Sequence, residues 1–439
     1  MKKNILYLLF SSFTVLSCQR NDVPVISASL KNSKKENSEL IRDWITLHLR
    51  LIKKTSGVTH VAYARHFAYT GVALYESLVN GNKAYNSIAG LLNGTVNFPS
   101  VQKGRPYHWP SAGNAAIAEM LRFFYAAKPS NIRSIDSLEN LYVIKYQAEK
   151  KNTDLAESRT FGKQVAAAVI DWSKTDGSNN ANIPYTPLGE GYWEPTAPAF
   201  AAAAVPGWGN TRTILTNSIN NSIPPPPVSF STQAGEPFYI MVKELYDSSL
   251  NLTNEQKAIA SFWDDAPNGS YVTVFGHWFS IFKQVLENNE NTDLMEAADA
   301  YLRLGITMND AGISCWKAKF SYNQLRPITY IRKHMGFTTW SSFISTPPHP
   351  EYSAAHATLS GSAAFALESV FGNKISFTDH TYDGIGMNPR TFANFEAAGD
   401  EAGLSRFYGG IHYKPSLQAG KTQGRKVGEN VKLILSSNQ

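Results

Sequence analysis

The sequence predicts an all-α protein whose helices pack as bundles. Three observations lead there. From residue 38 onward, apolar residues recur with the three-to-four-residue spacing of a buried helix face. No segment alternates apolar and polar residues convincingly enough to make a half-buried strand. The tracts with helical spacing are separated by clusters of Gly, Pro, Asn and Ser, which end helices and turn the chain.

Taken in order, the first helix is expected over Ser38–Lys54 and the second over Gly57–Val79, rich in Ala and aromatics. Further helices are expected over Ala112–Ala127, Asn131–Lys150 and Asp154–Ser173. The last of these carries Val165-Ala166-Ala167-Ala168-Val169-Ile170, small enough to let helices approach closely. From Asp176 to Gln233 the pattern breaks into a long irregular excursion with four prolines in a row, Pro224 to Pro227. A connection this long is usually functional or separates packing units. It is therefore taken as the divide between an N-terminal helical half, 38–233, and a C-terminal half, 234–439. Helical spacing resumes over Ala234–Ser248, Thr253–Asp264, Tyr271–Leu286 and Asp293–Lys319. It continues over Asn323–Met335, Ser353–Phe371, Asn388–Tyr408 and Pro415–Leu435.

Composition supports a large core. The chain has 439 residues, 43% of them hydrophobic, with 23 Phe, 21 Tyr and 9 Trp, so it is not a disordered chain. The formal charge of +6 is spread along the sequence without a Lys/Arg run, which argues against nucleic acid and suits a small anionic ligand. The first residues read as an export signal. Lys2 and Lys3 precede an apolar stretch, Ile5 to Leu16, too short to span a bilayer comfortably. Val15-Leu16-Ser17-Cys18 resembles a bacterial lipobox, which implies lipidation at Cys18, a tether over residues 19–37, and a place in the cell envelope, periplasm or outer membrane. Membrane contact is then through the lipid alone. Cys315 is the only other cysteine, so with Cys18 lipidated no disulfide forms.

Three segments carry chemistry. In the first, Trp316 to Pro327, a continuous helix would place Lys319 and Arg326 on one face with Trp316 close by. Arg grips two oxygens in a fork and Lys supplies a point charge, a pairing suited to an anion. In the second, Pro347-Pro-His349-Pro-Glu351-Tyr-Ser353-Ala-Ala355-His356, Pro-rich turns lead into a helix with Ser353 as its expected N-cap. The unpaired amides of Ala354, Ala355 and His356 would face an anion, with His356 able to move a proton beside it. In the third, Gly409-Gly410 interrupts the helix so that Arg406 and His412 can converge. Each segment alone is also compatible with a solvated basic stripe or a capping turn. Their order and spacing together point to one oxyanion site.

On these motifs the sequence resembles the vanadium-dependent haloperoxidases and type 2 phosphatidic acid phosphatases, over the residues from Trp316 onward. The resemblance implies that His412 binds vanadate, or in the phosphatases attacks phosphorus. It implies that Lys319, Arg326 and Arg406 neutralise the oxyanion's oxygens and that His356 is the acid–base residue. Trp316 sits where chloroperoxidases of the family place a tryptophan. His349 sits where algal bromoperoxidases have His and chloroperoxidases Phe, which favours bromide or iodide. The sequence departs from the family at Ala354, where a serine hydroxyl is usual, at Ala355, where Gly is usual, and at Ser416, where an Asp often stands. Asp264 or Asp265 is the candidate to orient His356. His60, His66 and His108 show no metal-type spacing and are read as core or surface residues; His277 is a candidate for the pocket's upstream wall but is not assigned. The implied cofactor is vanadate, with phosphate able to substitute, and no haem, flavin or nucleotide. The implied partners are hydrogen peroxide, halide and an organic acceptor. Two alternatives stay open: an exported acid phosphatase acting on a phosphate ester, and a non-catalytic oxyanion-binding envelope lipoprotein.

Overall fold

The structure, a computed structural model, describes residues 37–149, 153–266 and 268–438. The expected leader, Cys18 and most of the expected tether lie outside them. Residues Glu36–Gln439 form one compact unit. Thirteen α-helices dominate the described residues. The first five are α1 (Glu39–Lys54), α2 (Ala62–Leu78), α3 (Trp109–Phe124), α4 (Pro129–Glu149) and α5 (Leu155–Ser173). After the irregular excursion come α6 (Pro237–Leu250), α7 (Asn254–Phe262), α8 (Thr273–Asn288), α9 (Leu294–Tyr322) and α10 (Pro327–Lys333). The last three are α11 (Ala355–Phe371), α12 (Phe395–Tyr408) and α13 (Lys414–Ser436). No helix of the described residues is long and apolar enough to cross a membrane.

The core forms around α2, α9 and α11. On α2 nearly every side chain is buried, and on α9 burial runs almost without break from Leu294 to Lys319. A helix apolar all round belongs inside a large protein. Because α2 lies along α9, helices from before and after the excursion share one hydrophobic cluster. The closest pairing is α11 on α13. Gly424 makes it possible, since a Cβ there would lie 1.9 Å from the Thr358 carbonyl oxygen; Gly420 faces the Ala354 carbonyl in the same way at 2.7 Å. These two glycines set the N-terminal end of α11, where His356 stands.

Three local expectations are corrected. The helix through Lys319 stops at Tyr322 because Asn323 adopts φ +49°, left-handed, so Arg326 is not on the Lys319 helix. Arg326 precedes Pro327, is held extended (φ −74°, ψ 150°), and becomes the N-cap of α10. Ser353 does not cap α11: Ala354 occupies that place with no side-chain bond, and the Ser353 hydroxyl instead donates to Gln423 on α13. Finally, Phe377–Asp379 (β1) and Arg390–Phe392 (β2) form a short antiparallel pair, so α12 begins at Phe395 and not at Asn388.

The irregular excursion packs over the C-terminal helices. Asp310 on α9 accepts bonds from the Ile214 amide (2.8 Å) and the Ser218 hydroxyl (2.6 Å). Tyr322 and Tyr352 donate to the carbonyls of Pro224 (2.7 Å) and Pro225 (2.8 Å). Its polar backbone is thus satisfied by side chains where no helix or sheet can do so.

Candidate active site

A cavity of about 380 Å³ opens between the N-terminal ends of α2 and α11, the segment 345–349 and the α12–α13 connection. His349, Ala355, His356, Arg406, His412 and Trp316 border it. Ala354 does not border it and is fully buried. Lys319 and Arg326, both 0% exposed, stand behind the wall.

His412 follows the turn at Gly409-Gly410, where Gly410 takes φ +77° packed against Ser342 and Trp340. Its Nδ1 lies 2.8 Å from Glu351 Oε1, which also accepts the Tyr413 amide at 3.0 Å. Its Nε2 lies 3.1 Å from Nη1 of Arg326. Burial, with the charges of Arg326 and Lys319 nearby, holds the His412 imidazole well below its usual range. A neutral ring with its proton on Nδ1, toward Glu351, keeps Nε2 as an acceptor; here it accepts from Arg326, and exchanging that bond for an oxyanion's central atom would make it a ligand or nucleophile. Burial raises Glu351 to about 7, against the opposing pull of Arg326 and Lys319.

Lys319 and Arg326 meet on the backbone of the Pro-rich segment. The Lys319 ammonium donates to the carbonyls of Pro350 (2.9 Å), Glu351 (3.0 Å) and Ser353 (2.6 Å). Arg326 donates from Nε to the His349 carbonyl (2.9 Å) and from Nη1 to the Ile411 carbonyl (2.8 Å). Its Nη2 lies 3.0 Å from His349 Nδ1. Burial lowers Lys319 to about 7 and Arg326 to about 10. The two cations therefore shape the loop that carries His349 and Glu351 and put positive charge directly behind His412.

Arg406, at the end of α12, donates to Ser405 Oγ (3.0 Å) and to the Trp263 carbonyl. Its guanidinium reaches the cavity edge beside Asp264. Across from it, His356 in the first turn of α11 has Nε2 3.5 Å from Asp265 Oδ2. Burial and the Arg406 charge lower His356 to about 4, and Asp265 opposes them. A neutral His356 can accept a proton at neutral pH. The first-turn amides of α11, without partners inside the helix, lie at the same end. The His349 and Trp316 rings lie 5.0 Å apart with their planes inclined at 51°, and Trp316 Nε1 donates to the Ala204 carbonyl at 3.2 Å.

The structure thus gathers His349, Ala355, His356, Arg406, His412 and Trp316 on one cavity, with Lys319 and Arg326 one layer back. Sequence reasoning did not assign Glu351, although it is the one carboxylate of the segment Pro347–His356. It also set aside His60, which borders the cavity from the N-terminal side together with Val58, Thr59 and Val61. No signal in the local sequence marks that contribution. His277 does not border the cavity; it lies behind Asp265.

The VCPO second helical-bundle domain, as a family model, matches residues 299–437. The chain resembles the crystal structure of the first bacterial vanadium-dependent iodoperoxidase with a TM-score of 0.81 and 32% identity, over 91% of this chain and 96% of that one. It also resembles the holo and apo forms of a bacterial vanadium-dependent chloroperoxidase, each with a TM-score of 0.67 and 16% identity over 86% of this chain. These cover 92% and 94% of the chloroperoxidase chains and bear on the fold alone. No curated protein matches the sequence significantly.

Proposed function

The chain belongs to the vanadium haloperoxidase superfamily, and from that premise we propose that it oxidises halide with hydrogen peroxide at a vanadate held by His412. One observation carries the reading. A neutral imidazole, oriented through Nδ1 by Glu351 and with Nε2 touched only by the Arg326 guanidinium among the described residues, borders a cavity that also holds the acid–base candidate His356.

The residues present fit a tetrahedral oxyanion. His412 Nε2 would hold the central atom, and Arg406 with the α11 amides would supply donors on the cavity side. Lys319 and Arg326 add positive charge from behind. Bound vanadate would supply Lewis-acid activation of hydrogen peroxide without a change in its own oxidation state. The chain's own share is to hold, orient and move protons. Glu351 fixes the His412 ring, the Asp265 carboxylate sets its charge 3.5 Å from Nε2 of His356, and His356 takes a proton from the incoming peroxide. His349 and Trp316 form the wall that halide meets. The iodoperoxidase likeness and His349 support bromide or iodide as the halide. Localisation is part of the proposal: lipidation at Cys18 anchors the enzyme in the envelope, and incorporation of a labelled fatty acid in wild type but not in Cys18→Ala is the check.

The deciding experiment is a paired assay on purified protein. Preincubated with orthovanadate, it is given hydrogen peroxide, a phenolic dye, and bromide or iodide. Without vanadate, it is given a chromogenic phosphate ester. Vanadate-dependent halogenation is expected. Phosphate-ester turnover inhibited by vanadate would instead assign His412 as a nucleophile in an acid phosphatase. Tight vanadate binding with neither activity would leave a binding protein.

A further inference from the structure

Behind His356 lies a chain of buried acids and bases that the proposed reaction does not itself need. Asp265 Oδ2 faces His356 Nε2 at 3.5 Å. Asp265 Oδ1 faces His277 Nδ1 at 2.9 Å and accepts the Tyr382 hydroxyl at 2.5 Å. His277 Nε2 faces Asp379 Oδ2 at 2.8 Å. Asp379 Oδ1 is held by the Thr381 hydroxyl (2.6 Å), the Thr381 amide (2.9 Å) and Gln284 (3.3 Å). Asp265, His277 and Asp379 are all 0% exposed, and Trp263 stacks on the His277 ring at 4.3 Å. Three separate elements supply the links: the loop after α7, helix α8 and strand β1.

We propose that His277, clamped between Asp265 and Asp379, is a positioning residue that acts through Asp265 on His356. This rests on the acid–base role given to His356 above. The physical reason is charge. Burial would push a lone Asp265 toward its neutral form; the His277 imidazolium, with its hydrogen bond, brings Asp265 well below the usual carboxylate range. Burial would likewise discharge His277, but Asp265 and Asp379 raise it to about 10. Without the second carboxylate the imidazolium would face one partner only. With both, Asp265 stays ionised, aimed at Nε2 of His356, and leaves Nδ1 of His356 to accept protons. The other charged or titratable groups around this cluster are Asp264, Arg406 and His60, near Asp265 and His356, and Tyr271 near Arg406.

Removing the His277 charge has a defined consequence. Asp265 and His356 then titrate as one pair, which takes up a proton at higher pH, on whichever partner it resides. In vanadate-free protein with 15N-labelled histidines, wild-type His277 is expected to carry protons on both ring nitrogens at pH 7. His356 is expected to stay neutral with its proton on Nε2. In His277→Gln, proton uptake at the Asp265–His356 pair should move up by at least one pH unit. The acid limb of kcat/KM for halide oxidation should move by the same amount. A wild-type His277 that is neutral at pH 7 overturns the proposal, and that measurement needs no variant to fold. A folded His277→Gln whose His356 titration is unmoved also overturns it, leaving His277 a structural residue. Both spectroscopic outcomes are independent of halide oxidation, so they remain distinct from failure of the haloperoxidase reading.

Discussion

At the scale of single residues, the roles proposed for His412 and His356 divide binding from turnover. His412→Ala removes the imidazole whose Nε2 faces Arg326, and vanadate retention is expected to be lost, as read by dialysis and metal analysis. His356→Ala is expected to keep vanadate and lose peroxide-dependent halogenation. Equal vanadate affinity in wild type and His412→Ala would remove the site assignment. Glu351 gives a finer test. It orients His412 through Nδ1, and such outer partners of a metal-bound imidazole contribute roughly 10–100-fold in affinity. Glu351→Gln is therefore expected to raise the vanadate Kd by about that factor while leaving the melting temperature nearly unchanged; an unaltered Kd would reduce Glu351 to a fold residue. The legibility of these residues differed for physical reasons. Cations and histidines at fixed spacing stand out in a sequence, whereas Glu351 became meaningful only when the Lys319 and Arg326 bonds folded residues 349–353 back toward His412. His277 was visible as a candidate for the pocket's upstream wall, but its partners lie 12 residues before and 102 after it. No local pattern joins them.

At the scale of elements, periodicity located the helices because their buried faces repeat, and it located the breaks because Gly and Pro cannot sit quietly inside helices. It failed where a short-range rule was overridden by a long-range contact. Ser353 has the chemistry of an N-cap, yet its hydroxyl is taken by Gln423, which in turn donates to Ser314 on α9 at 2.8 Å. Strands β1 and β2, three residues each, are too short to show a period of two. They nonetheless deliver Asp379 to His277. The α11–α13 contact is the element-scale determinant of the site, because it fixes the end of α11 that presents His356. A Cβ at position 424 would meet the Thr358 backbone, not a flexible side-chain tip, so the helices themselves must move. Gly424→Val is expected to destabilise by about 1–3 kcal/mol, as overpacking does. Vanadate affinity should weaken with it, since the α11 amides shift. Urea unfolding and a vanadate titration on the same sample check both; a variant that loses stability yet binds vanadate as tightly as wild type would show that α11 is positioned by something other than α13.

At the scale of the whole molecule, the same burial that tunes the site makes the fold sensitive to acid. His48 on α1 is 1% exposed, with neither ring nitrogen hydrogen-bonded among the described residues. Its ring lies 4.1 Å from Phe67 and stacks with His66 at 6.2 Å. Burial lowers His48 to about 3, and His66 is lowered well below its usual range by burial and by His48 and Arg65. In the unfolded chain both titrate near 6.5, so between that value and the folded one the unfolded state binds the extra proton. Stability from this source is complete above about pH 6.5 and is lost as pH falls toward 3. Each pH unit crossed in that window costs about 1.4 kcal/mol per histidine, so the step from pH 6.5 to 5 removes roughly 2 kcal/mol through His48 alone. His48→Met keeps an apolar side chain of similar length in the aromatic box and removes the titration. Its stability at pH 7 is expected to lie close to wild type, and its decline between pH 6.5 and 5 should be shallower by roughly 2 kcal/mol, measured from urea midpoints at each pH. Parallel declines in the two proteins would mean that the acid sensitivity comes from elsewhere, with the other buried imidazoles lowered by burial, His66 and His60, the next groups to test. The helical core and the site thus share one constraint: imidazoles kept neutral by burial carry both the proposed ligand chemistry of His412 and the contact of His48 on α1 with Phe67 on α2, while the buried imidazole that is raised, His277, is enclosed by two carboxylates.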